Sequence, residues 1–244
     1  METLHTQRSD STASGRPETM IYPDDFLNKI VCGDCLDLMK DIPDDSGLTV
    51  ITDPVWPGCK PNLPGKDIAN EIFAEACKHF ERFAVRIVIH LGINTDPRLL
   101  RHIPSKFHFV QCLWLRWIPP SQRGTLLAEA DVGYVYGHSH LPKDGTRLLG
   151  SSAISNSRLR RPDDNNKNIN HPTPKSLQHV SWIVRRYSRP DDIILDPFAG
   201  SGTTLKAALL HNRRFIGIEI DEKFCAEANR RVFAPNQTEA PFYQ

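Results

Sequence analysis

The sequence predicts an α/β fold with a mostly parallel sheet, on three observations. Short apolar runs are bounded by turn residues, these runs alternate with stretches of helical apolar spacing, and one unit reads strand, glycine turn, helix, strand, acid. Residues 48–52, 85–91, 107–117, 130–136, 193–195 and 215–218 are the strand candidates; 68–80, 174–187 and 203–210 have the helical spacing. In the unit near the chain's end, the strand 193–195 leads to Gly200 and Gly202, which allow a tight turn close to a ligand. The helix 203–210 follows, and the strand 215–218 ends in Glu219. Glu219 stands about 17 residues after Gly202, near where nucleotide-binding α/β units place an acid on ribose hydroxyls. A nucleoside-containing cofactor is expected at this end.

The dinucleotide fingerprint would require a glycine where this chain has Leu205, which disfavours NAD. Asp196 precedes the turn, and a carboxylate there repels a pyrophosphate but attracts an amino group or a sulfonium. S-adenosylmethionine carries both. The segment from Asp196 to Thr204 resembles that of the S-adenosylmethionine-dependent DNA amino-methyltransferases, the N6-adenine/N4-cytosine family, which commonly reads Asp-Pro-Phe-x-Gly-Ser-Gly-Thr-Thr. The resemblance implies a Rossmann-like methyltransferase fold of about seven strands with helices on both faces. It assigns Asp196, Phe198, Gly200, Ser201, Gly202, Thr203 and Glu219 to the cofactor.

Upstream, the strand at 48–52 runs into Asp53-Pro54-Val55-Trp56. An exocyclic amine is a poor nucleophile because its lone pair is delocalised into the base ring. Two hydrogen-bond acceptors correct this: the Asp53 side chain and the Pro54 carbonyl each take one amino hydrogen and aim the lone pair at a methyl donor. Trp56 stacks on the base, which must be flipped out of the duplex. Members of the family carry Asp-Pro-Pro-Tyr, or a variant ending in Trp or Phe, at such a strand end. Here Val55 restores a backbone N–H and lifts the constraint a second proline would place on Pro54, while Pro57 restricts Trp56 instead.

Two more segments match in the order of the family's permuted members, whose catalytic motif precedes the cofactor loop. The stretch from Ile30 to Met39 resembles the Gly-Asp segment that opens many such enzymes, where Asp34 would contact the adenine amino group of the cofactor; a plain helix cap over 36–40 is the alternative. Residues 170–177 resemble a His-Pro-Thr-x-Lys-Pro segment, with Ser176 in place of the usual proline. Thr173 and Lys175 are thereby candidates for the cofactor pocket, or Thr173 caps the helix from 174.

With 244 residues and 39% hydrophobic content the chain can bury a full core, and a methyltransferase domain is expected over 23–234. Residues 1–22 are polar, without the apolar core of a signal peptide, and with 235–244 are expected to be tails. No transmembrane run is present, which suggests a cytoplasmic enzyme. A net charge of +1 is low for a DNA-binding protein, so distribution matters more than the sum. Arg147, Arg158, Arg160 and Arg161 fall in an aperiodic polar stretch; in permuted members the target-recognition insert lies there, expected here at about 138–170. A loop ordering on the phosphate backbone is weighed against a solvated surface loop. Arg116, Trp117 and Arg123 could form a second edge, although Trp114 and Trp117 suit packing equally. The pair Cys32-x-x-Cys35 has chelating spacing, but the other four of the six cysteines are isolated, so free thiols are expected and no metal.

The resemblance implies an enzyme that methylates the N6 amine of adenine in DNA, with S-adenosylmethionine as cofactor and Asp53, Pro54 and Trp56 as catalytic residues. Adenine is preferred because the family usually has Ser at the Asp53 position when cytosine N4 is the target. Cytosine N4, a retired cofactor-sensing binder of nucleic acid, and methylation of RNA or protein are the alternatives. DNA is the expected partner, no membrane is, and a homodimer is compatible with the chain.

Overall fold

The computed structural model describes residues 20–57, 63–93, 95–123, 126–137, 151–156 and 171–234. Among them one sheet of eight strands is formed by β1 (Lys29–Cys32), β2 (Leu48–Thr52), β3 (Ala84–Gly92), β4 (Phe109–Arg123), β5 (Leu126–Gly137), β6 (Ser152–Asn156), β7 (Ile193–Asp196) and β8 (Arg214–Glu219). Their order across the sheet is β1-β8-β7-β2-β3-β5-β4-β6. Only β5 runs antiparallel to its neighbours; all other pairings are parallel.

Helices cover both faces, which is why the central strands are apolar throughout rather than alternating. All five residues of β2 are buried. Helices α1 (Cys35–Leu38) and α2 (Ala69–Phe83) lie on one face, where Phe73, Cys77 and Phe80 of α2 meet Val50, Ile87 and Ile89. Helices α3 (Leu177–Tyr187), α4 (Thr203–Leu210) and α5 (Glu222–Phe233) lie on the other, where Val180, Leu205 and Ala228 meet Ile51, Val88 and Ile194. Successive residues of one strand thus enter different cores. Gly217 of β8 lets α4 approach closely, since a Cβ there would overlap Leu205.

Four differences from the sequence-based expectation stand out. The sheet has eight strands rather than about seven: β6 lies inside the stretch expected to be an aperiodic loop, and it buries the small residues Ala153 and Ser155 while leaving Ile154 exposed, which gives no apolar signal. Helix α3 starts at Leu177, capped by Ser176, whose Oγ accepts from His179 N at 3.4 Å; Thr173 is not the cap. Helix α5 was not anticipated, although Asp221 accepts from Lys223 N and Phe224 N as its N-cap. Met20 and Tyr22 pack against the core, so the ordered fold begins before residue 23; the rest of the expected tails and insert, apart from 151–156, lie outside the described residues.

From β2 the chain crosses through α2 to β3 on one side; from β7 it crosses through α4 to β8 on the other. Because β2 and β7 are neighbours, their carboxyl ends diverge at a topological switch point, where open α/β sheets bind ligands.

Candidate active site

A cavity of about 410 Å³ opens at that switch point, within the size range of small-molecule sites. Asp34 follows β1, Asp53 to Trp56 follow β2, His90 sits near the end of β3, Asp196 to Ser201 form the turn after β7, and Glu219 closes β8; all line it. Thr52 Oγ1 donates to Asp196 Oδ1 at 2.7 Å, which ties the two strand ends together.

The glycine turn is held from three sides. Phe198 N donates to Asp196 Oδ1 at 3.2 Å, and Gly200 N donates to Glu219 Oε2 at 2.7 Å. Gly200 has a left-handed φ of 51°, and a Cβ on it would come 2.9 Å from His171 Nε2, so glycine is required on both counts. From behind, α5 inserts Arg231, which is 1% exposed. Its Nη1 donates to Ser201 O at 2.8 Å, Ser201 Oγ at 3.1 Å and Thr203 Oγ1 at 2.8 Å. Gly202 faces α5 near Val232 and Ala228 and is not part of the cavity wall.

Burial controls the acids. Asp196, 3% exposed, is pushed up to about 6 by burial, against the hydrogen bonds it accepts from Thr52, Thr204 and Phe198 N. Glu219 is raised for the same first reason, opposed by the backbone N–H groups of Asp221 and Gly200. Asp34, Asp53, Asp196 and Glu219 face the cavity against one lysine, Lys175, among the described residues. A ligand bearing ammonium and sulfonium groups relieves that imbalance, and Leu36, Phe198 and Ile220 offer apolar surface for a nucleoside ring, so the donor set fits S-adenosylmethionine.

At the other end of the cavity, Lys175 Nζ donates to Asp53 Oδ2 at 3.0 Å and lies over the Trp56 ring, 5.2 Å from its centroid. Asp53 Oδ1 is buried and has no hydrogen-bond partner among the described residues. Burial raises the Asp53 carboxyl, and the charges of Lys175 and His90 only partly offset this. Behind it, His90 Nε2 stands 3.3 Å from Asp131 Oδ2. Burial alone would raise Asp131, but the charge of Lys175 and the bond to His90 hold its carboxyl well below the usual carboxylate range.

Asp34, Asp53, Pro54, Trp56, Thr173, Lys175, Asp196, Phe198, Gly200, Ser201, Thr203 and Glu219 thus come together on one cavity. Asp34 Oδ1 accepts from Leu36 N at 2.8 Å as the cap of α1, the plainer of its two expected roles, and the residue also lines the cavity. Lys175 pairs with Asp53, a contact its expected place in the cofactor pocket did not foresee. Trp117 is a packing residue, 5% exposed with its ring 4.6 Å from that of His179. Arg147, Arg158, Arg160 and Arg161 lie outside the described residues. The Cys35 thiol is free and pushed up to about 12 by burial, and no cluster of three metal-liganding side chains occurs among the described residues. His90, Asp131 and Arg231 escaped sequence reasoning; the polar interruptions of the runs at 85–91 and 130–136 were the available signal.

Sheet order, switch-point cavity and acid-rimmed glycine turn define a Rossmann-like methyltransferase. The chain belongs to the N6/N4 DNA methylase family, whose model matches residues 40–230. YubD of Escherichia coli (strain K12) is 27% identical over 85% of this chain and 91% of its own length. The type II methyltransferase M.HinfI of Haemophilus influenzae is 24% identical over 85% of this chain and 69% of its own. Among solved structures, the M1.HpyAVI–SAM complex superposes with a TM-score of 0.62 at 23% identity, covering 84% of this chain and 98% of that one. The PvuII DNA methyltransferase, cytosine-N4-specific, superposes with a TM-score of 0.64 at 15% identity, covering 86% and 87%. These two likenesses establish the fold.

Proposed function

We propose that this DNA methyltransferase transfers the methyl group of S-adenosylmethionine to the N6 amine of adenine. The observation that carries the reading is Asp53 Oδ1, a buried acceptor without a partner among the described residues, in the same cavity as the acid-rimmed turn. The cofactor supplies an electrophilic methyl group on a sulfonium.

Lys175 holds Asp53 Oδ2, so the carboxylate cannot rotate freely and Oδ1 alone is left to accept an amine hydrogen. The Pro54 carbonyl takes the second hydrogen, and the lone pair is turned out of the base plane. Trp56 has one ring face under the Lys175 ammonium and stacks on the extruded base with the other. The buried, cation-seeking Asp196 holds the cofactor's charged groups and Glu219 its ribose hydroxyls, with Asp34, Thr173, Phe198, Gly200, Ser201 and Thr203 completing its site. Gly202 shapes the turn from behind. Arg147, Arg158, Arg160 and Arg161 contact DNA phosphates.

Adenine is supported by an aspartate at position 53, where cytosine-N4 members usually have serine. It is also supported by a 63-residue stretch, 26% of this chain, that is 46% identical to the DNA adenine methyltransferase YhdJ of Escherichia coli (strain K12). The test is transfer of labelled methyl to unmethylated genomic DNA, followed by digestion and nucleoside chromatography. Label in N6-methyladenine is expected. Label in N4-methylcytosine would overturn the base assignment and keep the mechanism, and label in RNA alone would overturn the substrate.

A further inference from the structure

The strand register places three titratable groups side by side. Thr52 of β2 pairs with Ile89 of β3, so the next residues, Asp53 and His90, are neighbours at the strand ends. Gly92 pairs with Asp131 and His90 with Gly133 across β3 and β5, so His90 and Asp131 are diagonal neighbours on one face. His90 is 2% and Asp131 5% exposed, yet His90 lines the cavity beside Asp53. With His90 Nε2 directed to Asp131 Oδ2, the other ring nitrogen, Nδ1, is buried and has no hydrogen-bond partner among the described residues. Asp53 Oδ1 is likewise buried and without a partner among the described residues, so two unsatisfied atoms from neighbouring strand ends lie at this end of the cavity, and a water between them would satisfy both.

We infer that His90, fixed by Asp131, receives through Asp53 the proton that the amine must lose. The inference rests on the methyltransferase reading above. Methylation uses the amine lone pair and leaves the nitrogen cationic with one hydrogen too many. That N–H proton moves to Asp53 Oδ1, and its bonding pair returns to nitrogen. Asp53 and His90 Nδ1 are not in hydrogen-bond contact, so the proton passes through one bridging water to His90 Nδ1; Asp53 regains its charge, and the imidazolium is balanced by Asp131. The ring loses the proton to water when the site opens. Water alone is a poor acceptor in a closed cavity, and a relay gives the proton a way out that does not recross the product. The other charged or titratable groups that act on this pair are Lys175, which faces Asp53, His179 of α3, whose Nε2 donates to Arg116 O instead, and Asp196, which acts on Asp53 electrostatically. His90 and Asp131 are positioning and relay groups, because neither touches the reacting atoms.

The experiment compares the full-chain wild type with His90→Gln and Asp131→Asn in single-turnover methyl transfer across the neutral pH range. It adds infrared difference spectra of the cofactor-free protein in which the Asp53 carboxyl band is assigned with Asp53→Asn. We expect His90→Gln to slow transfer about 100-fold, with cofactor affinity and DNA affinity unchanged and the acid limb of the pH–rate profile shifted to higher pH. In the infrared, the protonated Asp53 band should persist to higher pH in His90→Gln, because a ring that can carry positive charge has been removed beside it. An unchanged rate, or a slower rate with an unchanged pH profile, overturns the relay. So does an Asp53 band that disappears at the same pH in wild type and variant. A wild type that binds cofactor but labels no DNA defeats the functional reading instead, and the infrared arm still decides the coupling of His90 to Asp53.

Discussion

Asp196 is 3% exposed and carries its carboxyl at about 6 where an exposed aspartate has 3.8, so burial works against its charge at neutral pH. With the folded value raised, the stabilisation from this group is fully present below the unfolded value and is lost as pH rises through about 6. Asparagine keeps an acceptor for Thr52 and Phe198 N without the charge. Asp196→Asn should therefore stabilise the cofactor-free protein at neutral pH by on the order of 2 kcal/mol in a denaturant titration, while weakening S-adenosylmethionine at least about tenfold by calorimetry. A variant no more stable than wild type would refute the account of Asp196 as strained by burial. In wild type, cofactor affinity should fall as pH drops through about 6, for the same reason. Lys175→Met acts oppositely on Asp53: removing the neighbouring ammonium raises the carboxyl further. The acid limb of the rate profile should then shift to higher pH, and a profile identical to wild type would mean that Lys175 does not tune Asp53.

Between elements, the cofactor turn depends on α5. Arg231 gives three hydrogen bonds to Ser201 and Thr203 from a fully buried position, and Gly202 packs on Val232 and Ala228 of the same helix. Arg231→Met keeps much of the volume but leaves those acceptors without their donor, at roughly 1–3 kcal/mol for each buried group left unsatisfied. We expect a loss on the order of 3 kcal/mol in a urea titration and a weaker cofactor complex, with Arg231→Lys intermediate. Wild-type cofactor affinity in the methionine variant would show that the turn holds its shape without α5. The strand–turn–helix unit was legible in the sequence because its signals are local: an apolar run, two glycines and helical spacing. The arginine that braces it was not, since Arg231 stands 30 residues from Ser201 and resembles any surface arginine of an amphipathic helix. Strand β6 was missed because its partner in the sheet is β4, and its inward residues Ala153 and Ser155 are less apolar than the exposed Ile154 between them, so hydropathy does not report the alternation. The start of α3 was misplaced because Thr173 and Ser176 are both good caps, and only tertiary packing selects between them.

At the scale of the molecule, the sheet order brings Asp53 and Asp196 to one cavity although long sequence separates them. Their grouping was legible through family resemblance, motif by motif. The pairings Asp53–Lys175 and His90–Asp131 depend on the register of β2, β3 and β5 and on the loop before α3, none of which a linear pattern encodes. The same scale governs DNA affinity. The whole chain has a net charge of +1, and the cavity faces its partner with an excess of carboxylates, so general electrostatic attraction to phosphate is weak. Affinity must then come from a few locally clustered cations, and Arg158, Arg160 and Arg161 are the densest such cluster between the two functional motifs. Each phosphate contact contributes about 0.9 to the slope of log affinity against log salt. Replacing all three by glutamine should reduce that slope by about 2 to 3, weaken binding to specific and non-specific duplexes alike, and leave S-adenosylmethionine affinity unaltered. Fluorescence anisotropy across a salt series measures it. If the slope stays at its wild-type value, Arg158, Arg160 and Arg161 do not touch phosphate, and Arg147 and Arg116 of β4, which is exposed beside Trp114, are the next to replace.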